Sequence, residues 1–191
     1  MSASTHVKSP SVKSPFREYP RWQETLRDHS SVLIRPISRL DRDAERAFLE
    51  NLPLDAPRFK VFGHLGRPSE EAIERLTDID YVHEMAFIAI VKEDAHERIV
   101  GVSRYRTDRD VLSCECSVTV DIAWQDKGLG TRLMKHLIEM AQSMGIRRMF
   151  AFSLVENLQM RDLASFLGFR MQVDEEHPER VVYELDLAVA T

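Results

Sequence analysis

Residues 125–131, Gln125-Asp-Lys-Gly-Leu-Gly-Thr131, place two glycines between an apolar, strand-like stretch and an amphipathic, helix-like one. Glycine tolerates tight turns and lets a ligand come close to the backbone. The first amides of a following helix have no carbonyl to bond. Such a loop can hold phosphate oxygens through main-chain N–H groups and the positive end of the helix dipole. Two better-known phosphate loops do not fit. Gly128-Leu-Gly130-Thr-Arg-Leu133 has leucine where the dinucleotide fingerprint needs its third glycine, and no acidic residue closes a following strand at the right distance. The Gly-Lys-Ser/Thr of nucleoside-triphosphate loops is missing too. A plain strand-to-helix turn without ligand would use the same glycines, so the residues alone leave both readings open.

Glu115 is the second chemical candidate, on the strand that leads into this loop. Alternation places Glu115, Ser117 and Thr119 on one face and Cys114, Cys116 and Val118 on the other. A carboxylate between cysteines on an interior strand should have its pKa raised by desolvation, which suits a general base. A glutamate satisfied by hydrogen bonds at the sheet surface is the plainer reading. The two cysteines read as core residues, and neighbours on one face of a strand do not favour a bridge. No two of the seven histidines stand at metal-ligand spacing, so no metal site is expected.

The elements that must position these residues follow from periodicity. Residues 25–27 and 32–35 suggest a hairpin around Asp28-His29-Ser30. Ser38-Arg-Leu-Asp41 reads as the capped start of a helix to about residue 50. Pro53 and Pro57 break the chain, and Ser69 opens a second helix with Ala72, Ile73 and Leu76 on one side. Residues 85–91, 99–106 and 114–122 form an antiparallel meander, with a turn at 94–97. A helix over 130–143 carries Leu133, Leu137 and Ala141 on one face and ends at Gly145. A strand over 148–155, a short helix over 159–167 closed by Gly168, and strands over 169–173 and 181–187 complete the chain. Strand and helix alternating after a meander imply an α/β fold with a mixed sheet covered by helices.

At this point the motifs become specific. Gln125-x-x-Gly128-x-Gly130, after an apolar strand and before an amphipathic helix, resembles the acyl-CoA-binding motif of the GNAT superfamily of N-acetyltransferases. Asn157 with Leu167-Gly168-Phe169 resembles that superfamily's downstream motif. Val32-Leu-Ile-Arg-Pro-Ile37, Arg75-Leu-Thr-Asp-Ile-Asp-Tyr81, Ile99-Val-Gly-Val102 and Gly145-Ile-Arg-Arg148 resemble its bacterial protein-lysine acetyltransferase branch. The resemblance spans residues 19–187. It implies a mostly antiparallel sheet of six to seven strands flanked by about four helices, and acetyl-CoA as acyl donor. It implies donor contacts at Gln125, Asp126, Lys127, Gly128, Leu129, Gly130 and Thr131, a pantetheine arm along the backbone of Val118, Thr119 and Val120, and a side-chain contact from Asn157. It also implies Glu115 as general base. The tyrosine acid of many relatives is replaced by Ala164, a departure this branch shares, so the thiolate leaves without a dedicated acid. Only a short segment precedes the domain, so the regulatory or synthetase-like domain often fused in this branch is not expected.

Composition sets the outer limits. The 191 residues carry 26 Lys and Arg against 31 Asp and Glu, a net charge of −5, with 43% hydrophobic and 30% charged residues. That balance disfavours nucleic acid as a partner. No apolar run is long enough to span a membrane, and no signal peptide opens the chain, so a cytoplasmic protein is expected. Residues 1–18, with VKSP twice, read as a disordered tail before a domain over 19–191. The expected acceptor is a lysine of another protein, such as a metabolic enzyme. The alternatives are a small-molecule amine and a non-catalytic acyl-CoA-sensing domain.

Overall fold

The computed structural model describes residues 20–52, 68–93, 96–108 and 111–187. The expected tail, the breaks at Pro53 and Pro57, and the first half of the 94–97 turn lie outside these residues. The described elements are β1 (Trp22–Thr25), β2 (Ser31–Pro36), α1 (Arg42–Asn51), α2 (Glu70–Thr77), β3 (Glu84–Glu93), β4 (His96–Thr107), β5 (Ser113–Val120), α3 (Leu129–Ser143), β6 (Arg148–Leu154), α4 (Leu158–Phe166), β7 (Arg170–Val173) and β8 (Arg180–Asp186). One sheet runs β1-β2-β3-β4-β5-β6-β8-β7, antiparallel except for the β5–β6 pair. The fold is α/β as expected.

The sheet has eight strands rather than six to seven, because both arms of the first hairpin and both strands after α4 join it. The hairpin's first arm lies earlier than residues 25–27: Arg27 has left the ladder and gives its N–H to the carbonyl of Lys127 instead (3.0 Å). The first helix is divided, with a 3₁₀ turn over Arg39–Asp41 ahead of α1. There the Asp41 carboxylate takes hydrogen bonds from the Ser38 backbone and from Arg35. β5 stops at Val120, so Ile122 belongs to a 3₁₀ turn and not to the strand.

Each face of the sheet buries a cluster of apolar side chains. Leu133, Leu137 and Ala141 of α3 pack on Val32, Ile34, Phe87, Cys114 and Cys116, and Ala164 of α4 joins them. On the other face Phe48 of α1 packs on Ile37, Ile88, Ile99 and Val102. α3 lies hard against β4. A Cβ on Gly101 would stand 2.9 Å from Leu133 Cδ1, so a larger residue there would force the buried Leu133 side chain to shift. Gly101 lies beside Leu129 and Leu133 of α3 and pairs with Val120, so the start of α3 and the end of β5 meet at one point of β4.

Candidate active site

β5 and β6 are paired at only three positions: Ser113↔Arg148, Cys114↔Met149 and Glu115↔Phe150. Beyond Glu115, β5 remains paired with β4 as far as Val120↔Gly101, and β6 with β8 as far as Leu154↔Arg180. The two strands no longer pair with each other. The sheet therefore opens into a wedge with Glu115 and Phe150 at its apex. Along one wall the backbone groups of Cys116 and Val118 and the Val120 N–H turn away from β4 and pair with no strand among the described residues, so an extended ligand could meet them as an added strand would.

The glycine loop closes the wide end. Asp121 accepts a hydrogen bond from the N–H of Ala123 (2.9 Å) and starts the 3₁₀ turn Ile122–Trp124. Gln125 Nε2 donates to the Val120 carbonyl (3.2 Å), and its Oε1 accepts from Gln159 of α4 (3.1 Å). Asp126 (φ 59°) and Gly128 (φ 87°) are both left-handed, and together they turn the chain into α3. The first intrahelical bond runs from the Arg132 N–H to the Gly128 carbonyl (3.2 Å), so the amides of Leu129, Gly130 and Thr131, at the positive end of this 15-residue helix, have no intrahelical acceptor. Gly130 sits between the two walls: a Cβ there would lie 3.6 Å from Leu163 of α4 and 3.7 Å from Val120. Asn157 caps α4 by accepting from the N–H of Met160 (3.1 Å), which leaves its side-chain NH₂ to donate.

The first hairpin braces this loop. Besides the Arg27 N–H bond to Lys127, Asp28 pairs with the Lys127 ammonium at 2.9 Å, and that ammonium lies 4.7 Å from the centre of the Trp124 ring. The Ser30 hydroxyl and Lys127 hold the Asp28 carboxyl far below the usual carboxylate range. The Arg27 side chain runs over Gly128.

Glu115 shares a face with Ser117 and Thr119, as alternation required. Its carboxylate is exposed at the wedge's apex rather than enclosed, because the flanking cysteines turn to the opposite face. Its pKa is nonetheless raised, chiefly by partial desolvation. Arg106, directly across on β4, and Arg180 pull it down, and Asp108 pushes it up. Arg180 is held by Asp174 and stacks on Phe152, 4.7 Å from the ring centre. On the other face burial pushes the Cys114 thiol up to about 12 and the Cys116 thiol well above its ordinary value. Both side chains are buried and favour the protonated thiol, the opposite of the exposed, low-pKa setting an acyl-accepting cysteine needs. Ala164 is buried, so that position offers no acid.

The sequence and its fold have counterparts among known proteins. A family model described as Acetyltransferase (GNAT) family matches residues 47–169, more than half the chain. The chain belongs to the GNAT acetyltransferase family. Acetyltransferase PA5475 of Pseudomonas aeruginosa is 38% identical over 185 residues, covering 96% of this chain and all of the relative. Acetyltransferase Pat of Mycolicibacterium smegmatis is 28% identical over 139 residues, 71% of this chain but 40% of the relative. Among solved structures, the GNAT domain of S. lividans PAT superposes with a TM-score of 0.79 at 24% identity, covering 89% of this chain and all of that one. The cAMP-binding acyltransferase from Mycobacterium smegmatis gives 0.61 at 23% identity, covering 89% of this chain and 48% of that one. This GNAT protein is accordingly an acyltransferase, of a family that joins an acyl-CoA donor to an amine acceptor. Among the described residues no helix is long and apolar enough to cross a membrane.

The glycine loop, Asn157 and Glu115, expected to share one site, lie around this wedge, but three further parts of it carry no signal in the sequence. The hairpin tip at Arg27 and Asp28 left no local signal, since its partner Lys127 is remote in sequence. Arg106 and Arg180, the cations that temper Glu115, come from β4 and β8. The clamp from Gln125 to α4 depends on Gln159, which looks like an ordinary first-turn helix residue.

Proposed function

We propose that this GNAT protein transfers acetyl from acetyl-CoA to a primary amine, the ε-amino group of a protein lysine, by direct attack within a ternary complex. The observation that carries the reading is the position of Glu115 where β5 and β6 part. A donor whose diphosphate met the amides of Lys127, Gly128, Gly130 and Thr131 would run its pantetheine arm along Val118, Thr119 and Val120. That path ends at the apex, beside the carboxylate. Gln125, Asp126 and Leu129 complete the loop, and Asn157 can donate from the opposite wall.

The chemistry follows from the acceptor. A lysine amine has a pKa near 10.4, so at neutral pH it arrives as ammonium and must lose a proton before its lone pair can attack. Glu115 takes that proton. The N–C bond forms as the C–S bond breaks, the thiolate of coenzyme A leaves with the electron pair, and the second proton of the attacking nitrogen passes to that thiolate directly or through solvent, giving the neutral amide and the free thiol. A coenzyme A thiol is acidic enough to depart without the acid that Ala164 replaces. The branch-like motifs named above favour lysine of another protein, such as a metabolic enzyme, over a free small amine.

The test is a panel of lysine-containing proteins and peptides against polyamines, amino acids and aminated drugs, each with acetyl-CoA and the purified chain. Acetylation of protein lysines, lost in Glu115→Gln, is expected. Turnover of free amines alone would overturn the lysine assignment, and no turnover with intact acetyl-CoA binding would favour a sensing domain.

A further inference from the structure

β7 ends the sheet, so among the described residues one of its edges pairs with nothing. Which groups face that edge follows from the ladder on its other side. Asp174 donates its N–H to the Arg180 carbonyl (3.1 Å), and the register runs Val173↔Val181, Gln172↔Val182, Met171↔Tyr183, Arg170↔Glu184. In an antiparallel pair, the N–H and C=O of one residue point the same way and successive residues alternate. Arg170, Gln172 and Asp174 therefore turn their backbone groups inward to β8. Met171 and Val173 turn theirs outward, unpaired.

The side chains at those two positions are also bare. Met171 is 53% exposed and Val173 60%, although their partners Tyr183 and Val181 are buried. An open strand edge with exposed apolar residues is a ready template for another strand. The segment Arg170-Met-Gln-Val-Asp174 is basic at its start and acidic at its end.

We propose that this edge pairs with the same edge of a second copy, joining β7 to β7 antiparallel about a two-fold axis through Gln172. In that register Met171 faces Val173 of the partner copy and Val173 faces its Met171. These are the residues whose N–H and C=O point outward, so each donates and accepts across the interface, and their apolar side chains meet on one face. Arg170 then faces Asp174 of the partner copy. Arg170 already pairs with Asp186, and Asp174 with Arg180, so the signs alternate across the joint. Self-complementarity in hydrogen bonds, apolar contact and charge is what an isologous contact demands. No other register brings all three together, since a shift of one residue sets inward-facing groups against outward-facing ones.

Sedimentation velocity on the full chain over a wide concentration range tests this. The 22.1 kDa chain should shift reversibly to twice that mass. Val173→Pro removes an outward N–H without touching the β8 ladder, and M171K/V173K places charges on exposed positions. Each should weaken association about tenfold or more while circular dichroism and melting stay near wild type. Hydrogen exchange at the Met171 and Val173 amides should slow as concentration rises, with Gln172 protected throughout. A wild-type chain that stays monomeric at every concentration, or a dimer that survives both variants, overturns the proposal.

Discussion

Glu115 and Phe150 face each other as the last paired residues between β5 and β6. On one side of that pair the sheet is closed. On the other its strands part and leave backbone groups open. A carboxylate at such a junction stands where an extended ligand entering the wedge must stop.

Removing that carboxylate separates chemistry from binding. Glu115→Gln should lower kcat by roughly 10²–10⁴-fold with little change in acetyl-CoA affinity, since no proposed donor contact uses this side chain. Steady-state kinetics with calorimetry checks both halves. An unchanged rate for every acceptor would end the base assignment.

The same group should set the acid limb of the pH–rate profile. Its pKa is raised, so kcat/KM should rise through a midpoint above that of an ordinary glutamate, about 4.3. Arg180 stabilises the charged form. Arg180→Gln therefore raises the pKa further and moves the limb to higher pH. Asp108 acts oppositely, so Asp108→Asn moves it to lower pH. Profiles for the two variants displaced in the same direction would contradict this account.

The loop is tested at its left-handed glycine. Gly128 has φ 87°, a conformation that costs other residues roughly 1–2 kcal/mol. Gly128→Val should misalign the free amides, weaken acetyl-CoA at least about tenfold by calorimetry, and spare most of the fold. A bulky residue at Gly130 should weaken binding too, by filling the gap between Val120 and Leu163. Unaltered affinity in both would contradict the loop's role.

The cysteines should be silent. With their thiols protonated and buried, iodoacetamide should leave the native protein unlabelled and active, and label both cysteines only after denaturation. Rapid inactivation with modification of Cys116 would refute this.

Stability rests partly on a buried ion pair. Arg104 Nη2 and Glu45 Oε1 lie 2.7 Å apart with side chains 7% and 1% exposed, tying α1 to β4. Glu45→Ala strands a guanidinium in the interior and should cost about 3–5 kcal/mol in denaturant titrations. Replacing both by apolar residues, E45L/R104M, should recover much of that loss.

Local pattern made much of this legible. α3 was expected over 130–143 and is Leu129–Ser143, because its apolar spacing and flanking glycines are all short-range signals. The meander, α4 and the Ser69 cap were visible for the same reason. The wedge was not, because it arises from where two distant strands stop pairing. The exposure of Glu115 is not legible either: alternation gives its face, but which face is covered depends on where the helices pack. The Asp28–Lys127 contact and the Glu45–Arg104 pair join elements far apart along the chain, and nothing in either neighbourhood announces its partner.

With so few rungs between β5 and β6, the two halves of the sheet are stitched together mainly at Ser113, Cys114 and Glu115. A pantetheine arm in the cleft would serve as mortar between two panels. Melting temperature should then climb with donor concentration as saturation proceeds, and coenzyme A should protect the protein from heat even where no acceptor is present.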